Sequence, residues 1–173
     1  FKHRQFTYNY GPHRQALVAL ARKSEIVIAS HDDTTPDHVD ESKADGIQLA
    51  EFPTTVEAAK LAQEAGIQVM MGAPNVVRGG SHSGNVAAEA LADAECLDIL
   101  SSDYVPASLL YAAFDLSNRL SDWDLPRAMR LVTQNPATAA GLSDRGEIAA
   151  GKRADLVRVQ VYDSQPIIRE VYR

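Results

Sequence analysis

Between residues 24 and 119 the chain switches regularly between short apolar runs and amphipathic stretches, and this alternation restricts the possible folds more than any other feature. The runs near 25–30, 46–52, 67–73 and 97–102 read as strands, and the stretches 36–44, 55–65, 86–95 and 106–119 read as helices. Strands that alternate with helices, and are apolar enough to be buried on both faces, argue for a parallel sheet built from βα units. The punctuation agrees. Thr35-Pro36 supplies a cap and a first-turn proline, Thr54 with Glu57 makes a capping box, and Gly46 and Gly66 end their helices before the next strand.

Around this centre the pattern is less regular. Residues 1–11 show no clear period, and Pro12 to Arg22 reads as a helix with no strand before it. Residues 74–85 read as a loop, and Asp124-Leu-Pro126 opens a helix that runs to about Ala140 and stops at Gly141. From Gly146 the pattern changes to short strands joined by glycine turns, a small β appendage. A closed (β/α)8 barrel needs eight βα units and typically about 250 residues, whereas these 173 residues show four. The expected fold is therefore α/β, the carboxyl-terminal half of a TIM-type barrel over 1–142, followed by short strands of a small β-sandwich over 143–173. On this reading the sequence is incomplete.

Composition excludes several classes of partner. Seventeen Lys and Arg against 23 Asp and Glu leave a formal charge of −6 with no basic cluster, which argues against a nucleic-acid groove or an anionic membrane. No apolar run reaches the roughly 18 residues of a spanning helix, and the lone Cys96 fits a reducing compartment, so the expected location is cytoplasmic. A half-barrel exposes open sheet edges, which predicts a homo-oligomer or completion by further chain.

The chemistry concentrates at strand ends. Leu97, Ile99, Ser101 and Asp103 share one face by the period of two, as do Val27, Ala29 and His31, so each apolar row ends on a titratable group. An α/β barrel keeps its chemistry at the carboxyl ends of its strands, and a His and an Asp there suggest a metal hydrolase. By itself His31 reads as readily as a core histidine, and Asp103 as a cap for the helix opened by Pro106. In the functional reading Asp103 holds a metal and accepts a proton from metal-bound water. Glu51 lies on the face of Ile47 and Leu49, where either a metal or basic partner or access to solvent would satisfy it. The loop Arg78-Gly79-Gly80-Ser81-His82 has the composition of a phosphate cradle, with glycine amides free to converge and Arg and hydroxyl groups as directed donors.

Two stretches, Leu131-Val-Thr-Gln-Asn135-Pro136-Ala137 to Leu142 and Gly146-Glu-Ile-Ala-Ala-Gly151-Lys152-Arg-Ala154-Asp155-Leu156-Val157, resemble the amidohydrolase superfamily at its last barrel helix and its return into the β-sandwich. Four more are similar to the branch of that superfamily that serves phosphonate metabolism through the carbon–phosphorus lyase pathway. They are Ala29-Ser-His31-Asp-Asp33, Ala50-Glu51-Phe52-Pro53, Met71-Gly-Ala-Pro-Asn75-Val-Val-Arg78-Gly-Gly-Ser-His82-Ser-Gly-Asn85 and Leu100-Ser-Ser-Asp103-Tyr-Val-Pro106.

The resemblance implies strands five to eight of the barrel, with His31 and Asp103 at metal-ligand positions on the fifth and eighth. It also implies one or two divalent ions, zinc or manganese, and release of pyrophosphate from a ribose 5-triphosphate that carries a 1-phosphonate. Arg78, Gly79, Gly80, Ser81 and His82 would bind that substrate. The sixth strand departs from the superfamily pattern by offering Glu51 in place of His, and no His-x-His occurs in the chain. The superfamily motifs alone are also compatible with hydrolysis of a carbon–nitrogen bond, and the residues alone with a catalytically silent fragment.

Overall fold

A computed structural model describes residues 2–81 and 83–173 of the chain. Helix α1 (Lys2–Lys23) leads into strand β1 (Ala29–His31), helix α2 (Pro36–Ala44) and strand β2 (Leu49–Glu51). Helix α3 (Val56–Glu64), strand β3 (Gln68–Gly72), helices α4 (Ala73–Arg78) and α5 (Ala88–Asp93), and strand β4 (Ile99–Ser101) follow. After them come α6 (Ser108–Arg119), α7 (Leu125–Arg130), α8 (Gln134–Ala139) and the strands β5 (Leu156–Tyr162) and β6 (Gln165–Tyr172). The first four strands form one parallel sheet in chain order, β1-β2-β3-β4, as the alternation predicts. The last two form a separate antiparallel ribbon.

Register explains which side chains are covered. His31 lies opposite Glu51, Glu51 opposite Met70, and Met70 opposite Ile99, so these residues share one face. The other face carries Ala50, Val69, Met71 and Leu100, each no more than 3% exposed beneath the helices. Ala58, Ala59 and Ala62 of α3, Leu91 of α5 and Ala112, Ala113 and Leu116 of α6 complete that layer. Small residues on α3 let the helix approach the sheet closely, and burial of so much apolar surface at roughly 25 cal/mol per Å² is the main source of stability. The first face is different: Ala29 and His31 are exposed, and Leu49, Glu51 and Met70 are half-buried, so burial on both faces fails towards β1. An apolar groove of about 740 Å³ lies along that edge, between α1 and β1. At the other edge the Leu100 amide donates to the Leu131 carbonyl at 2.9 Å.

Several local expectations change. Residues 73–78 form α4, because Pro74 occupies a first-turn position where its missing N–H is harmless. The cap of α3 is Thr55, whose hydroxyl accepts from the Ala58 amide at 3.0 Å, while the Thr54 hydroxyl donates to that of Thr34 at 2.9 Å. Residues 125–139 form two short helices, since the turn after Arg130 releases Leu131 to the edge of β4. Helix α1 extends upstream of Pro12, which it contains. Thr35 caps α2 as expected, accepting from the His38 amide.

Candidate active-site cleft

The carboxyl ends of the strands surround a cleft of about 460 Å³. His31 and Asp32 enter it from β1, Phe52 from β2, Met71 and Gly72 from β3, and Asp103 and Tyr104 from β4; Asn75, Arg78, Gly80 and Ser81 close it from α4 and its following loop. Asp32, Phe52 and Asp103 all adopt left-handed backbone, with φ of 61°, 56° and 47°. Such a conformation is rare for a bulky ring like that of Phe52, and its recurrence at three strand ends is typical of a site where the fold holds residues in place at some cost.

The ladder continues one residue past β1 and β2, because the Asp32 amide donates to the Glu51 carbonyl at 3.0 Å and the Phe52 amide to the Met70 carbonyl at 2.9 Å. Beyond that point the loops are tied to each other. The Thr54 amide donates to the Asp33 carbonyl at 2.9 Å, and the Ala88 amide to Asn75 Oδ1 at 2.9 Å. Asp33 is 8% exposed and its carboxylate accepts from the Ser30 hydroxyl at 2.6 Å and the Ser42 hydroxyl at 3.3 Å, which fixes the turn after β1 to α2.

His31 is oriented from two sides. Its Nδ1 lies 3.0 Å from Asp32 Oδ2, and its ring meets that of Phe52 edge-on with centroids 5.3 Å apart. A proton on Nδ1 shared with Asp32 leaves Nε2 as the basic nitrogen. Asp103 does not cap a helix: α6 begins at Ser108, and no side chain caps it. Its left-handed backbone takes it out of the strand period and brings its carboxylate against Gly72, where an added Cβ would stand 2.9 Å from Oδ2. The buried hydroxyl of Ser101, opposite Gly72, has no hydrogen-bond partner among the described residues.

Of the predicted site residues, His31, Asp103, Arg78, Gly80 and Ser81 meet in the cleft. Glu51 is half-buried and does not line it; the strand's contribution is its neighbour Phe52. Gly79 is the left-handed C-cap of α4 beside the cleft, and His82 lies outside the described residues. The glycine amides are not free to converge on a phosphate as expected, because that of Gly79 donates to the Val76 carbonyl at 2.9 Å and that of Gly80 to the Asn75 carbonyl at 2.8 Å. The loop expected over 74–85 is helix in its first part, so Arg78 stands at the carboxyl end of α4, and the helix expected from 86 is α5, which starts at Ala88. Arg78 is exposed and has no ion-pair partner among the described residues. Behind it Arg119 donates to the Val76 carbonyl at 3.0 Å and to Glu89 at 2.5 Å, so α4 is anchored to α5 and α6. The hydrogen bond it donates to Glu89 raises the pKa of the Arg119 guanidinium above its ordinary value.

A divalent cation is a poor fit to these residues alone. No three His, Cys, Asp or Glu among the described residues stand close enough to hold one, whereas a catalytic zinc takes three protein ligands and water. His31 and Asp103 would supply two.

A family model described as the amidohydrolase family matches residues 7–169. The chain belongs to the amidohydrolase family. It is 56% identical over 166 residues to the alpha-D-ribose 1-methylphosphonate 5-triphosphate diphosphatase of Escherichia coli (strain K12), a match that covers 94% of this chain and 43% of that protein. The chain thus spans less than half the length of this relative. Among solved structures, an uncharacterised protein matches at a TM-score of 0.68 and 19% identity, covering 92% of this chain and 47% of its own. An uncharacterised metal-dependent hydrolase from Pyrococcus furiosus matches at 0.58 and 14%, covering 82% and 35%. These two likenesses show a shared fold. No helix among the described residues is long and apolar enough to cross a membrane.

Proposed function

We propose that this chain is the carboxyl-terminal half of a phosphonate-metabolism hydrolase that releases pyrophosphate from α-D-ribose 1-methylphosphonate 5-triphosphate. The observation that carries the reading is the cleft, which is lined by both a carboxylate, Asp103, and a guanidinium, Arg78, that has no ion-pair partner among the described residues, in a chain 56% identical to a diphosphatase of that name. Water attacks the α-phosphorus of the triphosphate, the bond from that phosphorus to the bridging oxygen breaks, and the sugar keeps its 5-phosphate while pyrophosphate departs. Asp103 accepts the proton of the attacking water. Arg78 and the Ser81 hydroxyl bind the phosphoryl oxygens and stabilise the charge that grows on the leaving pyrophosphate.

The sheet is then strands five to eight of a barrel over 1–142, and the ribbon belongs to a β-sandwich over 143–173. A divalent ion, zinc or manganese, is the cofactor that family membership points to. It would supply Lewis-acid chemistry, with His31 and Asp103 as two donors and further ligands from the part of the relative's length that this chain does not span. The enzyme is expected in the cytoplasm as a homo-oligomer.

The competing reading, hydrolysis of a carbon–nitrogen bond, has no need of Arg78. Replacing Arg78 with Ala should therefore raise KM for the ribose triphosphate roughly 10-fold or more, since a hydrogen bond to a charged group contributes about 1.5–3 kcal/mol. An unchanged KM, or turnover of a cyclic amide in preference to the triphosphate, would defeat the proposal.

A further inference from the structure

We infer that Gly72 is a positioning residue for Asp103: the space left by its missing side chain is the seat of the Asp103 carboxylate. The three atoms nearest to a Cβ built on Gly72 all belong to Asp103, with Oδ2 at 2.9 Å, Cβ at 3.3 Å and Cγ at 3.5 Å. A carbon cannot occupy a point 2.9 Å from a carboxylate oxygen without displacing one of them. Gly72 is also buried, so the carboxylate must move outward, into the cleft that both residues line.

Backbone freedom does not explain the glycine. Gly72 has φ −75° and ψ 128°, ordinary extended backbone that alanine adopts without strain. At such a position alanine normally stabilises a fold, because it removes freedom from the unfolded chain. The contact with Asp103 reverses that expectation. Asp103 in turn depends on its own left-handed backbone, φ 47°, to leave the strand period of β4 and reach across to the end of β3. The two irregularities are thus complementary: a turn that carries the carboxylate sideways, and a glycine that admits it.

The catalytic part of this inference rests on the role proposed for Asp103 as acceptor of water's proton; the seating itself does not. A misplacement of about an ångström at a reacting group lowers rate on the order of 100-fold. Because Asp103 serves the chemistry and Arg78 the binding, the loss falls on kcat and leaves KM nearly alone.

The experiment is a cycle of four full-length, metal-supplied proteins: unmodified, Gly72→Ala, Asp103→Gly and the double variant. Asp103→Gly removes every side-chain atom that the new Cβ would meet and suits a φ of 47°. Gly72→Ala should lower the thermal midpoint by roughly 3 °C in the unmodified background and leave it unchanged or slightly raised in the Asp103→Gly background. The same shift in both backgrounds would overturn the seating. In steady-state assays Gly72→Ala should lower kcat by roughly 10- to 100-fold with KM within about 3-fold. A normal kcat would overturn the positioning role. If the unmodified protein shows no diphosphatase turnover, the proposed function fails, and the thermal cycle still decides whether Gly72 seats Asp103.

Discussion

The two ends of the parallel sheet begin from similar sequence and arrive at opposite environments. Leu97, Ile99 and Leu100 at the β4 end are at most 5% exposed, whereas Ile26 and Val27, which lead into β1, are 60% and 44% exposed. Helices α3 and α4 pack on β3 and α8 on β4, and the Leu131 carbonyl occupies an amide of the β4 edge. Beyond β1 there is an apolar groove and, among the described residues, no further strand. Apolar periodicity therefore states what a strand is fit to bury, and the neighbours decide whether it does. The cleft straddles this divide, with Asp103 on the well-packed side and His31 on the open one.

The contrast can be broken by truncation. Leu91→Ala, at a fully buried position, should destabilise by about 2–5 kcal/mol, whereas Ile26→Ala should stay within about 0.5 kcal/mol. Urea midpoints of the two variants check this, and equal losses would mean that the β1 side is covered in solution. Metal content sharpens it next. With two donors and no third among the described residues, these 173 residues on their own should keep no stoichiometric zinc after dialysis, measured by atomic absorption. A full equivalent would reveal a ligand set that this geometry lacks.

Glu51→Gln should change kcat less than about 3-fold, because its side chain stands outside the cleft; a larger loss would return Glu51 to the site. The smallest effect concerns Cys96, 1% exposed, whose thiol is pushed up by burial. Thiolate is the reactive form, so a disulfide reagent at neutral pH should label Cys96 only as fast as the β4 side opens.

Local chemistry made much of the fold legible. Thr35-Pro36 fixed the start of α2, and Gly46 and Gly66, both in left-handed backbone, marked the ends of α2 and α3. Helix α4 escaped because six residues are too few for a helical period and Pro74 with Gly79-Gly80 reads as a loop. The site was legible as a set of strand ends but not as a geometry. Periodicity put Glu51 on the face of Ile47 and Leu49 and His31 on that of Ala29; only the register sets the two opposite each other, and the left-handed turn at Phe52 sends the ring into the cleft. Likewise, nothing in Met71-Gly72 announces a carboxylate thirty-one positions later in the chain, since that contact exists only once β3 and β4 pair.

The central claim is that this cleft hydrolyses a phosphoric anhydride with Asp103 as proton acceptor. It is tested most directly by phosphorus NMR of the ribose 1-methylphosphonate 5-triphosphate incubated with the full-length, metal-supplied protein, unmodified and as Asp103→Ala. The account predicts pyrophosphate and a sugar 5-phosphate from the unmodified protein and a loss of at least about 1,000-fold in the variant. Comparable turnover by both proteins would contradict it.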